Sequence, residues 1–403
     1  MLKLAMRNVF RHRVRTALTL AAIVSGAAGL ILSGGFVEDS LLQLREATIH
    51  SQIGHLQIYR AGFYERGLQM PYRFMIDNPA QMMRDVAGLP HVIDAMARLN
   101  FSGVLNNGRN DVPVVGVGLE PDKEARLGTS TAIVSGRALG ASDRFRIILG
   151  EGVAGAMKIG PGDRVTILAS TADGALNTLE FEVVGVFRSF SKDYDARTVR
   201  IPLVAAQELL DVKAANAIVL TLDDTEATPF VDAVLKARLD RSRFEVKAWD
   251  ELADFYGKTE ALYRRQFAVL QVIILVAVLL SVANSVNMST YERAGEFGTL
   301  MAMGNRRRTI MRLVIAENCL LGLLGGVVGA LAGALLAWGI SAIGIPMPPP
   351  PNSNIGYTAA IRVVPRIVAA AALIAVAATV GAALVPAWRV ARLPVVDALR
   401  RNQ

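Results

Sequence analysis

Cysteine is almost absent: the 403 residues hold one, Cys319, and it lies inside an apolar run. A single thiol forms no internal disulfide, so no such staple holds the polar part of the chain. Histidine is scarce, and His50, His55 and His91 of the polar segment do not stand at metal-ligand spacing. They read as surface or packing residues, and no metal site is expected. No G-x-x-x-x-G-K-[S/T] stretch occurs, which excludes P-loop binding of a nucleotide by these residues. Serines such as Ser102 and Ser135 lack a nucleophile-elbow context. No catalytic residue is therefore expected. Aromatics are few, 6%, and no basic patch is interleaved with them, so nucleic acid is not expected as a partner.

Charge is missing from four long stretches. Thr16–Val37, Gln266–Thr290, Asn318–Ile345 and Ile367–Trp388 carry none, and each is at least 22 residues long. About 20 apolar residues cross a bilayer. With 52% hydrophobic residues, the chain is too apolar for an ordinary soluble protein. A signal peptide is the rival for the first stretch. Its core would be shorter and a cleavage site would follow, whereas this run passes directly into Glu38-Asp-Ser-Leu-Leu-Gln-Leu-Arg45.

The net charge of +8 has a location. Fourteen basic residues flank the apolar stretches, in the N-terminal arm, around Arg306–Arg308 and in the tail, against the acids Glu292, Glu296 and Asp397. The segment 38–265 has 27 basic and 31 acidic residues. Basic excess beside spans marks the cytoplasmic side and attracts lipid headgroups. Both termini are therefore expected in the cytoplasm. Residues 1–15 carry Leu2, Met6, Val9 and Phe10 on one side and Lys3, Arg7 and Arg11 on another. They read as a cytoplasmic interfacial helix, the plainer alternative being a basic flank that orients the first span.

The expected fold is a membrane protein with four transmembrane helices, over 16–37, 266–290, 310–345 and 367–388. A large α+β extracytoplasmic domain, 38–265, lies between the first two. Its pattern gives strands over 54–60, 112–119, 217–222 and 244–247. A hairpin of 165–169 with 178–187 turns at Ala172-Asp-Gly174. Helices are expected over 150–159, from Ile201 to Leu210, and over 229–239. From Trp249 the helical pattern runs toward the second span. Pro346-Met-Pro-Pro-Pro-Pro351 opens a stiff extracytoplasmic loop, 346–366, which either props the domain or merely connects. Residues 389–403 form a cytoplasmic tail.

The most informative polar stretch is 291–309, between the second and third spans. Glu292 and Glu296 are four apart, and Phe297, Leu300, Met301 and Gly304 follow at helical spacing. A short helix with one apolar face, held between two spans, fits the plug of a partner. Phe297 reads as the anchor, and Gly298 and Gly304 as places where a backbone approaches closely. In the third span Gly322, Gly325, Gly326, Gly329 and Gly333 give small-x-x-x-small pairs, which let helices approach. Whether they mark a dimer face stays open. Asn284, Ser285, Asn287 and Ser289 of the second span either bond between helices or face the wet interface. Glu317 is costly in lipid and a candidate intramembrane charge. The favoured reading puts it in water at the headgroup boundary, beside Arg312 or the connecting helix.

Glu292-Arg-x-x-Glu-Phe-Gly-x-Leu-x-x-Met-Gly304, followed by basic residues and a new span, resembles the coupling helix of the MacB/LolE/FtsX-type ABC transporter permeases. The tail Pro386-Ala-x-Arg389…Pro394-x-x-Asp397-Ala-Leu-Arg400 is similar to that family's closing motif. Leu149-Gly-Glu-Gly, Gly160-Pro-Gly-Asp163 and Val183-Val-Gly-Val-Phe187 resemble its periplasmic core, and Gly54-His-Leu-Gln-Ile-Tyr59 resembles the lipoprotein-releasing branch. The resemblance covers nearly the whole chain. It implies a non-catalytic permease of the bacterial inner membrane that transmits the movement of a separate ATPase to its periplasmic domain. Glu292, Arg293, Glu296, Phe297, Gly298, Leu300, Met303 and Gly304 would be the ATPase-coupling residues. ATP and magnesium would be bound by that partner, with no cofactor in this chain. Two ATPase subunits, a second permease copy or paralogue, membrane lipid, and a periplasmic carrier or adaptor are the implied partners. The implied work is extraction or export of a lipoprotein, lipid or other amphiphile. Efflux of a drug or peptide with an adaptor, and FtsX-like regulation of a periplasmic hydrolase, are the alternatives. The size of segment 38–265 counts against the last.

Overall fold

The structure, a computed structural model, describes residues 13–67, 71–127, 131–349, 353–354 and 356–392. Most of the expected interfacial helix of 1–15 and of the tail of 389–403 lies outside the described residues. The chain divides into two compact units.

One unit holds 1–42, 260–346 and 358–403 and is helical throughout its apolar part. Helix α1 spans Arg13–Thr48, α2 Asp254–Glu292, α3 Ala294–Ala302, α4 Arg307–Ile343 and α5 Pro365–Ala391. The four long ones are apolar and long enough to cross a membrane. Each outruns its uncharged core. The 39 residues of α2 at about 1.5 Å each exceed the roughly 30 Å of a bilayer's hydrocarbon.

Small residues let these helices pack. Along α5, Ala371, Ala375, Ala378 and Ala382 recur on one face and are buried. The last three form a core with Ile23 and Ala27 of α1, Val278, Val282 and Val286 of α2, and Ile310 and Val314 of α4, while Ala371 packs with Leu30 and Ile31 of α1. The valines of α2, four apart, are its buried stripe. Val269, Val272, Ile273, Val276 and Leu280 are exposed, as a helix facing lipid or a further chain would be.

The other unit holds 43–259 and 347–357. Strands β1 Leu56–Arg60, β2 Val92–Asn106, β3 Asp111–Leu119, β4 Ala132–Gly136, β5 Arg146–Gly150, β6 Arg164–Ser170, β7 Leu176–Arg188, β8 Thr198–Pro202, β9 Ala217–Leu222 and β10 Phe244–Ala248 form one network. β2 belongs to two layers. Its first half pairs with β9 in a four-stranded sheet ordered β10-β1-β9-β2. Met82 and Val86 of helix Pro79–Ala87, with Val231 and Leu235 of helix Thr228–Arg238, cover the inner face, Leu56, Ile58, Ile218 and Leu220. Its second half pairs with both β3 and β6, and the path β2-β3-β8-β5-β7-β6 returns to β2. The ring therefore closes without edges around Phe101, Leu105, Ile167, Phe181 and Val199. β4 lies beside β7.

The α+β class agrees with the expectation, as do β1, β3, β9, β10, the β6–β7 hairpin and helix Thr228–Arg238. Three features differ. The helix expected from Ile201 starts at Leu203, because Thr198–Pro202 is claimed by β8, parallel to β3. The helix expected over 150–159 is Glu151–Met157, ended by Lys158 in the left-handed region at φ 55°. The proline-rich loop also contributes to this unit. Ser353 bridges Ser191, and Asn354 donates from its backbone to Phe190 O (3.1 Å) and through Nδ2 to Asp195 Oδ2 (2.5 Å). It is docked rather than merely connecting.

Candidate functional site

The polar connection between α2 and α4 is built from two helix breaks. At the first, Arg293 leaves helical geometry (φ −96°, ψ 10°) and caps α3. At the second, Gly304 adopts φ +87°. Its N–H donates to Met301 O (3.0 Å) and the Asn305 N–H to Leu300 O (3.1 Å). That pair of bonds is the Schellman arrangement, which needs a left-handed residue that glycine supplies without strain. A side chain at 304 would meet open space. Gly304 thus turns the chain into α4, and nothing else in the described chain lies against it.

Between the breaks, α3 has two faces. Ala294, Gly295, Phe297 and Gly298 are buried. Phe297 is 1% exposed and sits in the helical unit's own core, with Leu300 and Met301 packed half-buried beside it. This corrects the expectation that the apolar stripe projects as a plug. A three-turn stripe is required equally by a partner's pocket and by the chain's own spans, and here the spans take it. The outward face carries Glu292, Glu296, Thr299 and Met303, continuing through Tyr291 at one end and Asn305 to Arg308 at the other. Met303 is 68% and Tyr291 59% exposed.

Arg293 points inward. Its Nη1 donates to Glu317 Oε2 (2.7 Å) and its Nη2 to Glu317 Oε1 (3.1 Å), a two-pronged pair. Both side chains are about nine-tenths buried. Nε donates to Glu296 Oε2 (3.1 Å), a carboxylate at the exposed rim. The guanidinium carbon lies 5.0 Å from the centre of the Phe297 ring, within cation–π range. Glu317 is therefore buried rather than in water, and of the two expected neighbours it is the connecting helix that it meets. It is enclosed by protein and answered by the arginine that caps α3. The sequence contained both partners but not their pairing, because 24 residues and a reversal of direction separate them.

The glycines of α4 split into two rows. A Cβ on Gly322 would stand 3.1 Å from Thr379 Cβ and Val376 Cα of α5, and one on Gly326 3.3 Å from Ala372 O. A Cβ on Gly325 would meet Ile23 at 2.6 Å, on Gly329 Ala27 at 2.7 Å, and on Gly333 Ile31 at 3.0 Å, all on α1. Both rows are used within the chain. Of the polar residues in α2, Ser285 bonds Thr19 of α1 through its hydroxyl, while Asn284 is exposed. The inter-helix reading thus holds for Ser285.

In the other unit His55 is a satisfied core histidine. Its Nδ1 accepts from Leu222 N–H (3.2 Å), which leaves the proton on Nε2, 3.2 Å from Thr225 Oγ1. Thr225 donates onward to Glu46. Burial, and then nearby His50, lower its pKa from 6.5 to about 4. Among the described residues no group of three histidines, cysteines or carboxylates could hold a metal.

Comparison with known proteins agrees with this architecture. Residues 16–238 match the family described as MacB-like periplasmic core domain, and residues 268–395 match FtsX-like permease C-terminal. The lipoprotein-releasing system transmembrane protein LolC of Neisseria meningitidis is 22% identical over 84% of this chain and 80% of its own length. The macrolide export ATP-binding/permease protein MacB of Hyphomonas neptunium is 25% identical over 98% of this chain, which spans 60% of that relative. Among solved structures, the periplasmic region of MacB from Actinobacillus actinomycetemcomitans is similar at 16% identity. It covers 51% of this chain and 94% of its own, with a TM-score of 0.37.

Proposed function

We propose that this chain, which belongs to the ABC transporter permeases that join a MacB-like periplasmic core to an FtsX-like C-terminal region, passes ATP-driven movement from an ATPase to its periplasmic domain in order to extract a lipid-anchored or other amphiphilic cargo. The work is mechanical. In this reading ATP and magnesium are bound by an ATPase, and the connection around α3 is where it grips. The density of arginine at 306–308 supports a cytoplasmic position for the connection in a bacterial inner membrane, with both termini on the same side in this reading.

The observation that carries the choice of cargo is the alignment with LolC, which runs over 84% of this chain and 80% of that lipoprotein-releasing protein. The MacB relative, matched over 98% of this chain and 60% of its own length, keeps efflux as the second reading. A second permease copy or a paralogue completes the assembly, consistent with the exposed apolar side of α2.

Purification of the complex from native membranes, with mass spectrometry of co-purifying proteins and lipids, tests this reading. An ATPase subunit and acylated proteins are expected. An ATPase with an adaptor and no acylated cargo would point to efflux, and absence of any ATPase would overturn the proposal.

A further inference from the structure

We infer that Arg293 and Glu317 are positioning residues that carry displacement of the ATPase-facing surface of α3 directly into α4, a role that rests on the proposed function.

The turn from α3 to α4 is short, and its strain-free bend at Gly304 fixes only one end of α3. The other end is fixed by the ion pair. Arg293 caps α3 at its start, and Glu317 lies ten residues into α4. Covalent turn and ion pair together hold α3 at two points against one long helix. Separating the two would cost the buried Glu317 both prongs of Arg293, and breaking a buried ion pair is strongly disfavoured. Sliding of α3 along α4 is therefore opposed far more strongly than joint motion of the two.

The same guanidinium also reaches outward. Its Nε donates to Glu296, which is 45% exposed at its side chain and lies on the face with Glu292, Thr299 and Met303. A partner that pushes on that face acts on Glu296, through it on Arg293, and through Arg293 on Glu317. The relay runs Glu296 Oε2, Arg293 Nε, Arg293 Nη1, Glu317 Oε2, with bonds of 3.1 and 2.7 Å. The Phe297 ring under the guanidinium holds its plane in place. Lysine has one ammonium and no fork, so it cannot bond both carboxylates in this geometry.

The chain carries its own reporter. Cys319, the one cysteine, lies two residues past Glu317 on α4 and is half-buried. Its rate of alkylation by N-ethylmaleimide can be measured in the detergent-solubilised permease–ATPase complex, with and without ATP plus vanadate. In the wild type, nucleotide is expected to change that rate by about 5- to 150-fold, the range of ordinary coupling between sites. In Arg293→Ala complexes that still hold the ATPase, the change should fall below about twofold, outside that range. The charge-swapped Arg293→Glu/Glu317→Arg double variant should recover most of it, and Arg293→Lys only part. If Arg293→Ala does not assemble, Glu317→Gln measured against the swapped pair decides the matter. A nucleotide response in Arg293→Ala or Glu317→Gln as large as in the wild type overturns the inference. A wild type that binds no ATPase, or whose Cys319 ignores nucleotide, fails the functional reading instead.

Discussion

Arg200 of β8 donates through Nη2 to the carbonyl oxygen of Ser51, 3.0 Å away, and so ties the closed ring to the π-helical turn Ile49–Ile53 that follows α1. The guanidinium is buried, lies 4.5 Å from the Phe187 ring centre and stands 3.7 Å from Glu124, which also takes two prongs from Arg98. Removing one member of such a cluster costs more than the pair contributes, because the others stay buried. Arg200→Met is expected to lower the stability of this unit by about 3 kcal/mol. Arg200→Lys should recover little, since an ammonium cannot stack on the ring and serve both oxygens. Thermal unfolding of the purified protein checks both. Equal melting temperatures for wild type and Arg200→Met would remove the hub.

His55 gives a pH dependence with a definite sign. Its folded pKa, about 4, lies below the ordinary 6.5. The unfolded chain therefore binds more protons between those values, and stability falls as pH drops through that window. The contribution is complete above pH 6.5 and lost near pH 4, at most about 3 kcal/mol from a shift of this size. His50, Glu46, Arg45, Asp223 and Thr225 surround the ring, and carboxylates elsewhere titrate in the same range. The informative quantity is thus the difference between wild type and His55→Gln. The variant should lose less stability between about pH 7.5 and pH 5, and parallel curves would refute the assignment.

The glycine rows of α4 can be tested against a neighbour in the same helix. A Cβ on Gly329 meets Ala27 Cβ at 2.7 Å and Val24 O at 3.2 Å, whereas nothing lies within 4 Å of one on Gly339. Gly329→Val should therefore force α1 and α4 apart at a cost of about 1–3 kcal/mol. Gly339→Val should be close to neutral within this chain. Melting of the detergent-solubilised protein reads the contrast. If Gly339→Val is the more damaging, that surface is covered by another chain.

The four spans were legible because an apolar stretch of 22 or more residues without a single charge is long enough to cross a bilayer and longer than most buried helices of soluble domains. What followed from pairing was not legible. Strand β2 has no clear strand signal, because Asp94 and Arg98 interrupt its apolar pattern. Arg98 is tolerated there only because Glu124, 26 residues on, answers it. Closure of the ring rests on β6 returning to β2, a contact between segments far apart in the chain that no local signal announces. In the connecting stretch the stripe of Phe297, Leu300 and Met301 was visible, and its direction was not. Hydrophobic periodicity says that a face is covered, but not by what. Gly304 was likewise visible as a glycine, while its positive φ emerges only once the helix is known to end there.

The inward stripe changes which residues should hold the ATPase. Phe297 is enclosed by its own spans, so Phe297→Ala opens a cavity in the core and should lower stability by about 3–5 kcal/mol. Any loss of partner would follow from that damage. Met303 and Tyr291 are the large apolar groups on the outer face, 68% and 59% exposed. Aromatic residues and methionine are favoured at the centre of interfaces, and truncating such an anchor costs ~2 kcal/mol or more, about a 30-fold loss of affinity. Met303→Ala and Tyr291→Ala should therefore leave melting within about 0.5 kcal/mol of the wild type, as exposed positions do, and should release the ATPase on detergent extraction. Arg307→Ala, an exposed charge, should matter less, since a rim ion pair contributes ~0–1 kcal/mol. Co-purification of the ATPase, set beside the melting temperature of each variant, separates the two effects. If Met303→Ala and Tyr291→Ala keep the partner while loss of Arg306–Arg308 releases it, the grip is electrostatic and the apolar anchors proposed for the outer face are wrong.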